Sequence, residues 1–225
     1  MQAAASFVIP VLNEQAIIGE LLLDLRQRFP DCELLVVDGG SSDRTVAVAM
    51  PLCDQLMVSD PGRGQQMNLG GLVASSEYVF FLHADSRPGL SATALQSCLA
   101  QRPEWGFCRV RLSGRGPWFR LIEWSMNQRS RLTHVATGDQ MIFVRKTLFD
   151  SSGGFESIPL MEDVDFCKRL RRLSSPHIFR QPVLTSSRRW EEGGVALTVL
   201  RMWLLRLAYF LGVSPQRLWR HYYGR

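Results

Sequence analysis

Lysine is nearly absent from this 225-residue sequence, which contains only Lys146 and Lys168 although its net charge is +5. The basic side chains are therefore almost all arginines, whose planar forks match the geometry of phosphate groups. This composition favours an anionic ligand, although a genome that prefers arginine codons would explain it equally well. The sequence has no long basic run interleaved with aromatic residues, which argues against nucleic acid as a partner.

Paired cysteines are also absent. The number of cysteines is odd and no two form a CxxC pair; they are Cys32, Cys53, Cys98, Cys108 and Cys167. This pattern predicts reduced thiols in a cytoplasmic protein. No basic segment precedes an apolar run at the N-terminus, so we predict no signal peptide.

A long uninterrupted apolar run is the third absence. The most apolar segment, residues 195–211, contains Arg201 and Arg206, and one arginine at the centre of a spanning helix costs roughly 2.5–3.5 kcal/mol. At helical spacing the large apolar side chains share one side, opposite both arginines and Thr198; they are Val199, Leu200, Trp203, Leu204, Leu207, Phe210 and Leu211. We predict that residues 195–225 form a C-terminal helical extension, in which 212–225 fold back as a short helix. Its apolar side is expected to pack on the domain, to form a homodimer interface or to lie on the inner face of a membrane.

Residues 1–194 are predicted to form a single α/β domain. Continuous apolar strands are expected at 6–11, 33–37, 55–58 and 78–82, with helices at 17–29, 43–50 and 65–74 between them. Such strands indicate a mostly parallel sheet that is covered by helices on both faces. The second half is less regular, with strands expected at 105–112, near 141–144 and at 177–184, and helices at 118–132 and 163–173.

Polar and acidic residues follow three of these strands, within 10–14, 38–43 and 83–86. Because ligands of open α/β sheets bind at the carboxyl ends of the strands, these residues are expected to converge on one site. Each also has a structural explanation. Asp38 could start a turn, Asp43 could cap a helix, and Asn13 could do either.

The motifs at these strand ends resemble those of family 2 glycosyltransferases. In chain order they are VIPVLNE (8–14), VVDGGSSDRT (36–45), RGQQMNLG (63–70), FLHADS (81–86), GDQ (138–140) and MED (161–163). Within the family, the chain resembles the small subgroup linked to arsenosugar biosynthesis. The resemblance implies a GT-A fold, which is a Rossmann-like domain with a mostly parallel mixed sheet. It also implies an inverting transfer from a nucleotide diphosphate sugar, expected to be UDP-linked, to an unidentified small-molecule or lipid-linked acceptor.

The resemblance further implies a set of residues around the nucleotide sugar. Asp38 would accept hydrogen bonds from the base, Glu14 would bind the ribose, and Arg63 would approach the base or the diphosphate. Near the end of the domain, Arg189 and Trp190 would hold the diphosphate. The full set is Pro10, Asn13, Glu14, Asp38, Gly39, Asp43, Arg63, Gly64, Asn68, Ala84, Asp139, Arg189 and Trp190.

The family usually carries Asp-x-Asp where this chain has His83-Ala84-Asp85. Asp85 would bind Mn²⁺ or Mg²⁺ together with oxygens of the diphosphate. His83 would contact the ribose, organise waters or ligate Mn²⁺, since imidazole suits transition metals. The departure leaves the identity of the metal open.

An inverting transfer also needs a base that deprotonates the acceptor. Glu162 and Asp163 precede a predicted helix, whose dipole favours ionised carboxylates at its N-terminus. The resemblance favours Asp163 as the base and Glu162 as the second candidate. Charging of the helix N-terminus is the structural alternative.

Two other functions share part of this pattern. A sugar nucleotidyltransferase would have a glycine-rich phosphate loop with a basic residue after the first strand, where this chain has Asn13 and Glu14. A non-catalytic nucleotide-sugar-binding or scaffold protein would tolerate His83, but the retained carboxylates of Asp85, Glu162 and Asp163 argue against it.

Overall fold

The computed structural model describes residues 4–224, in which eight strands form one mixed sheet. The strands are β1 (Ser6–Val11), β2 (Glu33–Asp38), β3 (Gln55–Val58), β4 (Tyr78–Phe81), β5 (Ser86–Pro88), β6 (Trp105–Leu112), β7 (Phe143–Arg145) and β8 (His177–Thr185). Their order across the sheet is β3-β2-β1-β4-β7-β6-β8-β5.

Helices cover both faces of this sheet. They are α1 (Ile18–Arg28), α2 (Thr45–Ala49), α3 (Arg63–Val73), α4 (Ala92–Leu99), α5 (Pro117–Thr133), α6 (Lys146–Ser152), α7 (Glu162–Leu170), α8 (Arg188–Gly193), α9 (Val195–Phe210) and α10 (Pro215–Tyr223), and Gly138–Gln140 form one turn of 3-10 helix. No helix within the described residues is long and apolar enough to cross a membrane.

The first half of the chain forms the parallel part of the sheet. β1 pairs in parallel with β2 and β4, and β2 pairs in parallel with β3. All six residues of β1 are buried, as expected for a strand that is covered on both faces. The predicted alternation of strands and helices is confirmed, and the carboxyl ends of β1, β2 and β4 lie at one edge of the sheet.

The second half adds antiparallel strands. β7 pairs antiparallel with β4 and β6, while β8 pairs in parallel with β6 and antiparallel with β5. The GT-A-like mixed sheet that the resemblance implies is thereby confirmed. This pairing brings the N-terminus of α7 and the end of β8 to the edge where the first strands end.

Two apolar clusters hold the helices against the sheet. Phe80 and Phe143 stack on one face with ring centroids 4.9 Å apart. On the other face, Phe81 and Phe155 meet edge to face at 4.8 Å. A slip of one residue would exchange the two faces, so these contacts fix the register of β4.

Four elements were not predicted from the sequence, namely β5, α4, α6 and α8. β5 continues directly from the turn after β4, and it pairs with the far end of β8. In addition, the helix predicted at 163–173 begins at Glu162 and ends at Leu170, because 171–173 form a turn.

Helix α9 is present where predicted, and of the three positions expected for its large apolar side, packing on the domain is wrong. Leu205 is buried and Arg206 lies on the inner side, whereas the side chains of Leu200 and Trp203 are exposed. Arg206 turns inward because the carboxylates of Asp139 and Asp163 lie on that side. The apolar side predicted from the helical spacing is thus not the side that packs on the domain.

Candidate functional site

Asn13 joins the loops that follow β1 and β2. Its side-chain oxygen accepts hydrogen bonds from the N–H of Ser42 at 2.9 Å and from its hydroxyl at 3.2 Å. Its own N–H donates to the Ser41 hydroxyl at 2.8 Å. Asn13 has a φ of +57°, a conformation that asparagine tolerates better than most residues. Asn13, which was predicted to contact the nucleotide sugar, therefore has a structural role at this edge. That role is compatible with binding of a ligand beside it.

Asp38 is buried and organises the turn after β2. One carboxylate oxygen accepts the N–H groups of Gly40 at 2.9 Å and of Ser41 at 2.8 Å. The Ser41 hydroxyl donates to the other oxygen. Because a carboxylate has about four lone-pair sites, one remains for a ligand donor.

Gln66 of α3 joins the ends of β1 and β2 through hydrogen bonds. It was not identified from the sequence. Its buried amide nitrogen donates to the carbonyls of Val11 and Val37, each at 2.8 Å. A Cβ at Gly39 would lie 3.1 Å from this amide, which explains the small residue there. Pro10 lies inside β1 and is buried.

Asp43 caps the start of α2. Desolvation raises its pKa, but hydrogen bonds from the hydroxyl and N–H of Thr45 and from the N–H of Gln15 outweigh that effect and lower it. The structural explanation of Asp43 is therefore sufficient for its position, and its contact with a nucleoside stays a prediction.

Asp85 and Glu14 face the same space at the edge of the sheet. Asp85 is exposed in the turn after β4, where Ser86 donates to its carboxylate at 3.3 Å. Partial burial raises the pKa of Glu14, and the charge of Asp85 raises it further, while Arg188 and Arg63 lower it. Two carboxylates that repel each other in this way favour a cation between them.

His83 points toward the 3-10 turn. Its Nδ1 lies 3.6 Å from Oδ1 of Asp139. A Cβ at Gly138 would lie 2.3 Å from the imidazole, so only glycine fits beneath the ring. The buried Ala84 lies between His83 and Asp85 in the chain. His83 thus contacts Asp139, and its predicted role as a metal ligand stays a prediction.

The side chains at this edge could supply only some of the ligands that a divalent cation needs. Among the side chains that the structure describes, no group of three or more His, Cys, Asp or Glu is arranged to hold a metal ion. Asp85 and Glu14 offer carboxylate oxygens, which are hard ligands suited to Mg²⁺ or Mn²⁺. Mg²⁺ in nucleotide sites is commonly held by one or two carboxylates together with substrate phosphates, and these two residues match that pattern.

Glu162 is buried at the N-terminus of α7. Burial raises the pKa of its carboxyl group to about 7, and the neighbouring charge of Asp163 adds to this, while Arg63 and His83 oppose it. A carboxyl group with a pKa close to neutral can hold or release a proton at the working pH of an enzyme.

Asp163 has different surroundings. One of its oxygens accepts the N–H of Gly138 at 2.7 Å, and the other accepts the N–H of Val164 at 2.6 Å. These bonds fix the direction of the carboxylate and join α7 to the 3-10 turn. Glu162 and Asp163 both line the same large cavity.

The residues predicted on α3 divide into two groups. Arg63 is exposed, and its charge acts on both Glu14 and Glu162, which places it between the edge where β1, β2 and β4 end and the α7 carboxylates. Gly64 packs under a neighbouring loop, where a Cβ would lie 2.7 Å from the Glu156 carbonyl oxygen. Asn68 exchanges two hydrogen bonds with the backbone of Phe155 at 2.7 and 2.8 Å. The contacts give Asn68 a structural role and offer no support for its predicted role in ligand binding.

The segment after β8 returns to the edge where β1, β2 and β4 end. Ser187 is buried, and it is bonded to Ser113 and Glu191. The backbone of Arg189 and Trp190 belongs to α8, but their side chains, on which the diphosphate prediction depends, lie outside the described part of the structure. The charge of Arg188 acts on Glu14, so Arg188 is a basic residue of this edge that was not singled out from the sequence.

A cavity of about 1000 Å³ begins at this edge and extends between α5 and α9. Its polar end contains Arg63, His83, Asp139 and the two α7 carboxylates. Its other walls are mainly apolar; they include Trp118, Leu121, Ile122, Trp124, Met126, Val199, Leu200, Met202, Trp203 and Leu205. The helical spacing of Trp118, Leu121 and Trp124 in the sequence was a signal that could have identified the α5 wall.

Comparison with known proteins gives a family match in the first half of the chain. Residues 6–92 match the profile described as Glycosyl transferase family 2. The chain is also 36% identical over 88 residues to the PGL/p-HBAD biosynthesis glycosyltransferase of Mycobacterium bovis. That match covers 36% of this chain and 34% of the mycobacterial protein, so the chain spans about a third of the length of this relative.

Solved structures with the same fold cover most of the chain. Staphylococcus aureus TarS 1-349 in complex with UDP superposes with a TM-score of 0.67 at 19% identity, over 83% of this chain and 60% of TarS. The mannosyltransferase PcManGT from Pyrobaculum calidifontis, in complex with GDP-Man and Mn²⁺, gives a TM-score of 0.64 at 18% identity, over 92% of this chain and 61% of that one. At these identities the likeness concerns the fold.

Proposed function

We propose that the chain is a family 2 glycosyltransferase, as the match of residues 6–92 supports, and that it transfers a sugar, with inversion, from a nucleoside diphosphate donor to an acceptor nucleophile. The observation that carries this proposal is the lining of the cavity. His83, which follows β4, and Arg63, whose charge acts on Glu14, line it together with the paired carboxylates of Glu162 and Asp163. A donor and an acceptor could therefore meet at one point.

The donor would lie across the ends of β1, β2 and β4. Asp38 would accept a hydrogen bond from the base, and Glu14 would bind the ribose. We propose UDP as the nucleotide, and the UDP complex of the structurally similar TarS supports this choice. Arg63 and Arg188 would neutralise the negative charge of the diphosphate, because both of their charges act at this edge and guanidinium groups bind phosphate strongly.

Asp85 would hold Mn²⁺ or Mg²⁺, with Glu14 close enough to contribute. Such an ion, when bound, neutralises the charge that develops on the leaving diphosphate. The Mn²⁺ in the PcManGT complex supports a divalent cation in this fold. His83, which faces Asp139, would contact the sugar or its hydroxyl groups instead of binding the metal.

Asp163 would act as the base. Its two backbone hydrogen bonds aim the carboxylate into the cavity, and a positioned base must lie within hydrogen-bond reach of the proton that it removes. Glu162, with a pKa of about 7, would carry a proton during part of the cycle and so limit the negative charge beside Asp163. We further propose a cytoplasmic location, where nucleotide sugars are supplied.

Thermal unfolding with a panel of nucleoside diphosphates tests this proposal. UDP with Mn²⁺ is expected to raise the melting temperature, because a ligand that binds only the folded state stabilises it by mass action. Asp85→Ala should abolish the metal-dependent part of the shift, whereas Asp31→Ala, at an exposed aspartate just before the opposite end of β2, should not. Absence of a shift with every nucleotide would contradict the donor site.

Release of free nucleoside diphosphate from the sugar donor then distinguishes an enzyme from a binding protein. Slow hydrolysis of the donor, lost in Asp85→Ala, is expected of a glycosyltransferase without its acceptor. Binding without any release, under conditions of saturating donor and metal, would favour the non-catalytic nucleotide-sugar-binding alternative.

A further inference from the structure

Large apolar side chains are exposed on α5 and α9 around the mouth of the cavity. We call this the tryptophan surface; it consists of Trp118, Leu121, Trp124, Leu200, Trp203, Leu204 and Leu207. The three tryptophans are 66%, 61% and 68% exposed, respectively. Five of the seven residues, including all three tryptophans, also line the cavity. Contiguous apolar surface of this kind marks a site of interaction with a protein or a membrane.

The charge around this surface favours a membrane. Residues 193–225 contain five arginines and no Asp or Glu. An anionic leaflet attracts such a segment by about 1 kcal/mol for each basic residue near the surface. A second copy of the chain would instead bring two segments of the same sign together. Tryptophan is also the side chain that is enriched where a protein meets the boundary between lipid and water.

The inner end of the cavity contains arginines beside its carboxylates. Arg206 lines it as a half-buried side chain on which the charges of Asp139 and Asp163 act, yet among the described residues its guanidinium has no hydrogen-bond partner and no ion pair within 4 Å. Behind it lies Arg129, whose Nε is buried without a hydrogen-bond partner in the same residues. Because a guanidinium has five N–H donors, Arg206 keeps donors for a further anion, and this part of the cavity is suited to an anionic group.

The apolar walls of the cavity would fit the hydrocarbon chain of an amphiphile, and the arginine at its inner end would fit an anionic head group. Chain-like apolar surface would lie between Trp118 and Trp203, and a negatively charged head group would reach Arg206. The charge of Asp163 acts on Arg206, so a head group at that position would bring its oxygen close to the proposed base.

We propose that the acceptor is a membrane lipid with an anionic head group, which enters the cavity from a leaflet on which the tryptophan surface rests. This inference rests on the proposed function. The acceptor oxygen forms the bond to the anomeric carbon as the bond from that carbon to the diphosphate breaks. The nucleoside diphosphate leaves with the electron pair, and a proton on the acceptor oxygen, where there is one, passes to Asp163.

Sedimentation with lipid vesicles tests the docking surface. The full chain is expected to pellet with phosphatidylglycerol vesicles and to stay in the supernatant with phosphatidylcholine vesicles. Leu200→Glu should abolish pelleting, whereas the matched change Leu72→Glu, at an exposed leucine of α3, should preserve it. Failure to pellet with either vesicle overturns the proposal. It is also overturned if the protein binds no lipid and instead forms a dimer in solution that Leu200→Glu dissociates.

Calorimetric titration with single-chain probes below their micelle-forming concentrations tests the head-group site. Dodecyl phosphate is expected to bind, while dodecanol and inorganic phosphate each bind at least tenfold more weakly, because each supplies only half of the contacts. Arg206→Met should weaken dodecyl phosphate binding by roughly tenfold or more, and Arg220→Met, at an exposed arginine of α10, should leave it unchanged. Equal binding of dodecanol and dodecyl phosphate by the wild-type protein overturns the proposal without reference to any variant.

Donor binding, measured on the same preparations, separates the two proposals. If UDP with Mn²⁺ stabilises the protein while vesicles and dodecyl phosphate do not bind, the lipid acceptor is wrong and the transferase proposal stands. If dodecyl phosphate binds while no nucleotide does, the proposed function is wrong. The shift with UDP also shows that Leu200→Glu and Arg206→Met are folded.

Discussion

Glu162 and Asp163 are adjacent in sequence and differ in what surrounds them. Glu162 is buried beside a like charge, whereas Asp163 accepts two backbone hydrogen bonds. Pairs of carboxyl groups whose surroundings differ in this way commonly divide the roles of acid and base between them. Two predictions at the residue scale follow from the difference.

The first concerns activity. Asp163→Asn removes the proposed base but keeps the shape of the side chain, and we expect kcat to fall by about 10²–10⁴-fold. Glu162→Gln imitates the protonated form and should lower kcat by roughly tenfold or less. Steady-state rates with each variant check this order. The reverse order of losses would make Glu162 the base.

The second concerns stability against pH. The unfolded chain releases the Glu162 proton above about pH 4.5, whereas the folded protein keeps it up to about pH 7. The folded state therefore binds more protons in this range, and the contribution of Glu162 to the free energy of unfolding falls as the pH rises from 4.5 to 7. Glu162→Gln removes this loss, on the order of 1–3 kcal/mol. Urea unfolding at pH 5 and pH 8 should show the variant gaining on the wild type at pH 8; an unchanged difference would contradict the raised pKa.

At the scale of elements, periodicity predicted the parallel half well, because strands such as β1 are continuous apolar runs and α1 shows a regular helical repeat that ends before Pro30. It did not predict β5, since three residues have no detectable period and their pairing with β8 joins segments far apart in the sequence. The inward turn of Arg206 also depends on charges from distant elements, which local patterns do not record.

The candidate site, like the fold, was predictable from the sequence only in part. The strand ends were found because polar residues follow apolar runs, and Asp38, Glu14 and Asp85 do lie at one edge. Asn68 shows the limit, because nothing in the sequence indicates that its amide pairs with the backbone of Phe155. Gln66 and Arg188 were missed for the converse reason, since their partners come from other elements.

Gln66 provides a test at this scale. Gln66→Leu removes the two hydrogen bonds that join the ends of β1 and β2, and we expect a loss of about 1–3 kcal/mol in the free energy of unfolding, because buried carbonyls lose a donor. The neighbouring Gln65 is exposed, so Gln65→Leu should change stability by about 0.5 kcal/mol or less. Chemical unfolding of both variants measures the difference. Equal stability would mean that the turn residues alone hold the edge.

At the scale of the whole molecule, the tryptophan surface surrounds the mouth of a cavity whose polar lining, with Arg63 and His83, adjoins the proposed donor edge at the ends of β1, β2 and β4. The donor edge carries the carboxylates, whereas the C-terminal helices carry arginines and no acidic side chain within 193–225. The molecule therefore has an electrostatic polarity that would orient it on approach to any charged surface.

The tryptophan surface has a practical consequence for anyone who handles the protein in dilute buffer. With no lipid to cover it, exposed apolar area promotes self-association, which strengthens as the protein is concentrated. The hydrodynamic radius should then grow with concentration and return to the monomer value on addition of a mild detergent. Crystallisation trials would meet the same tendency as precipitation, and Leu200→Glu would be expected to relieve it.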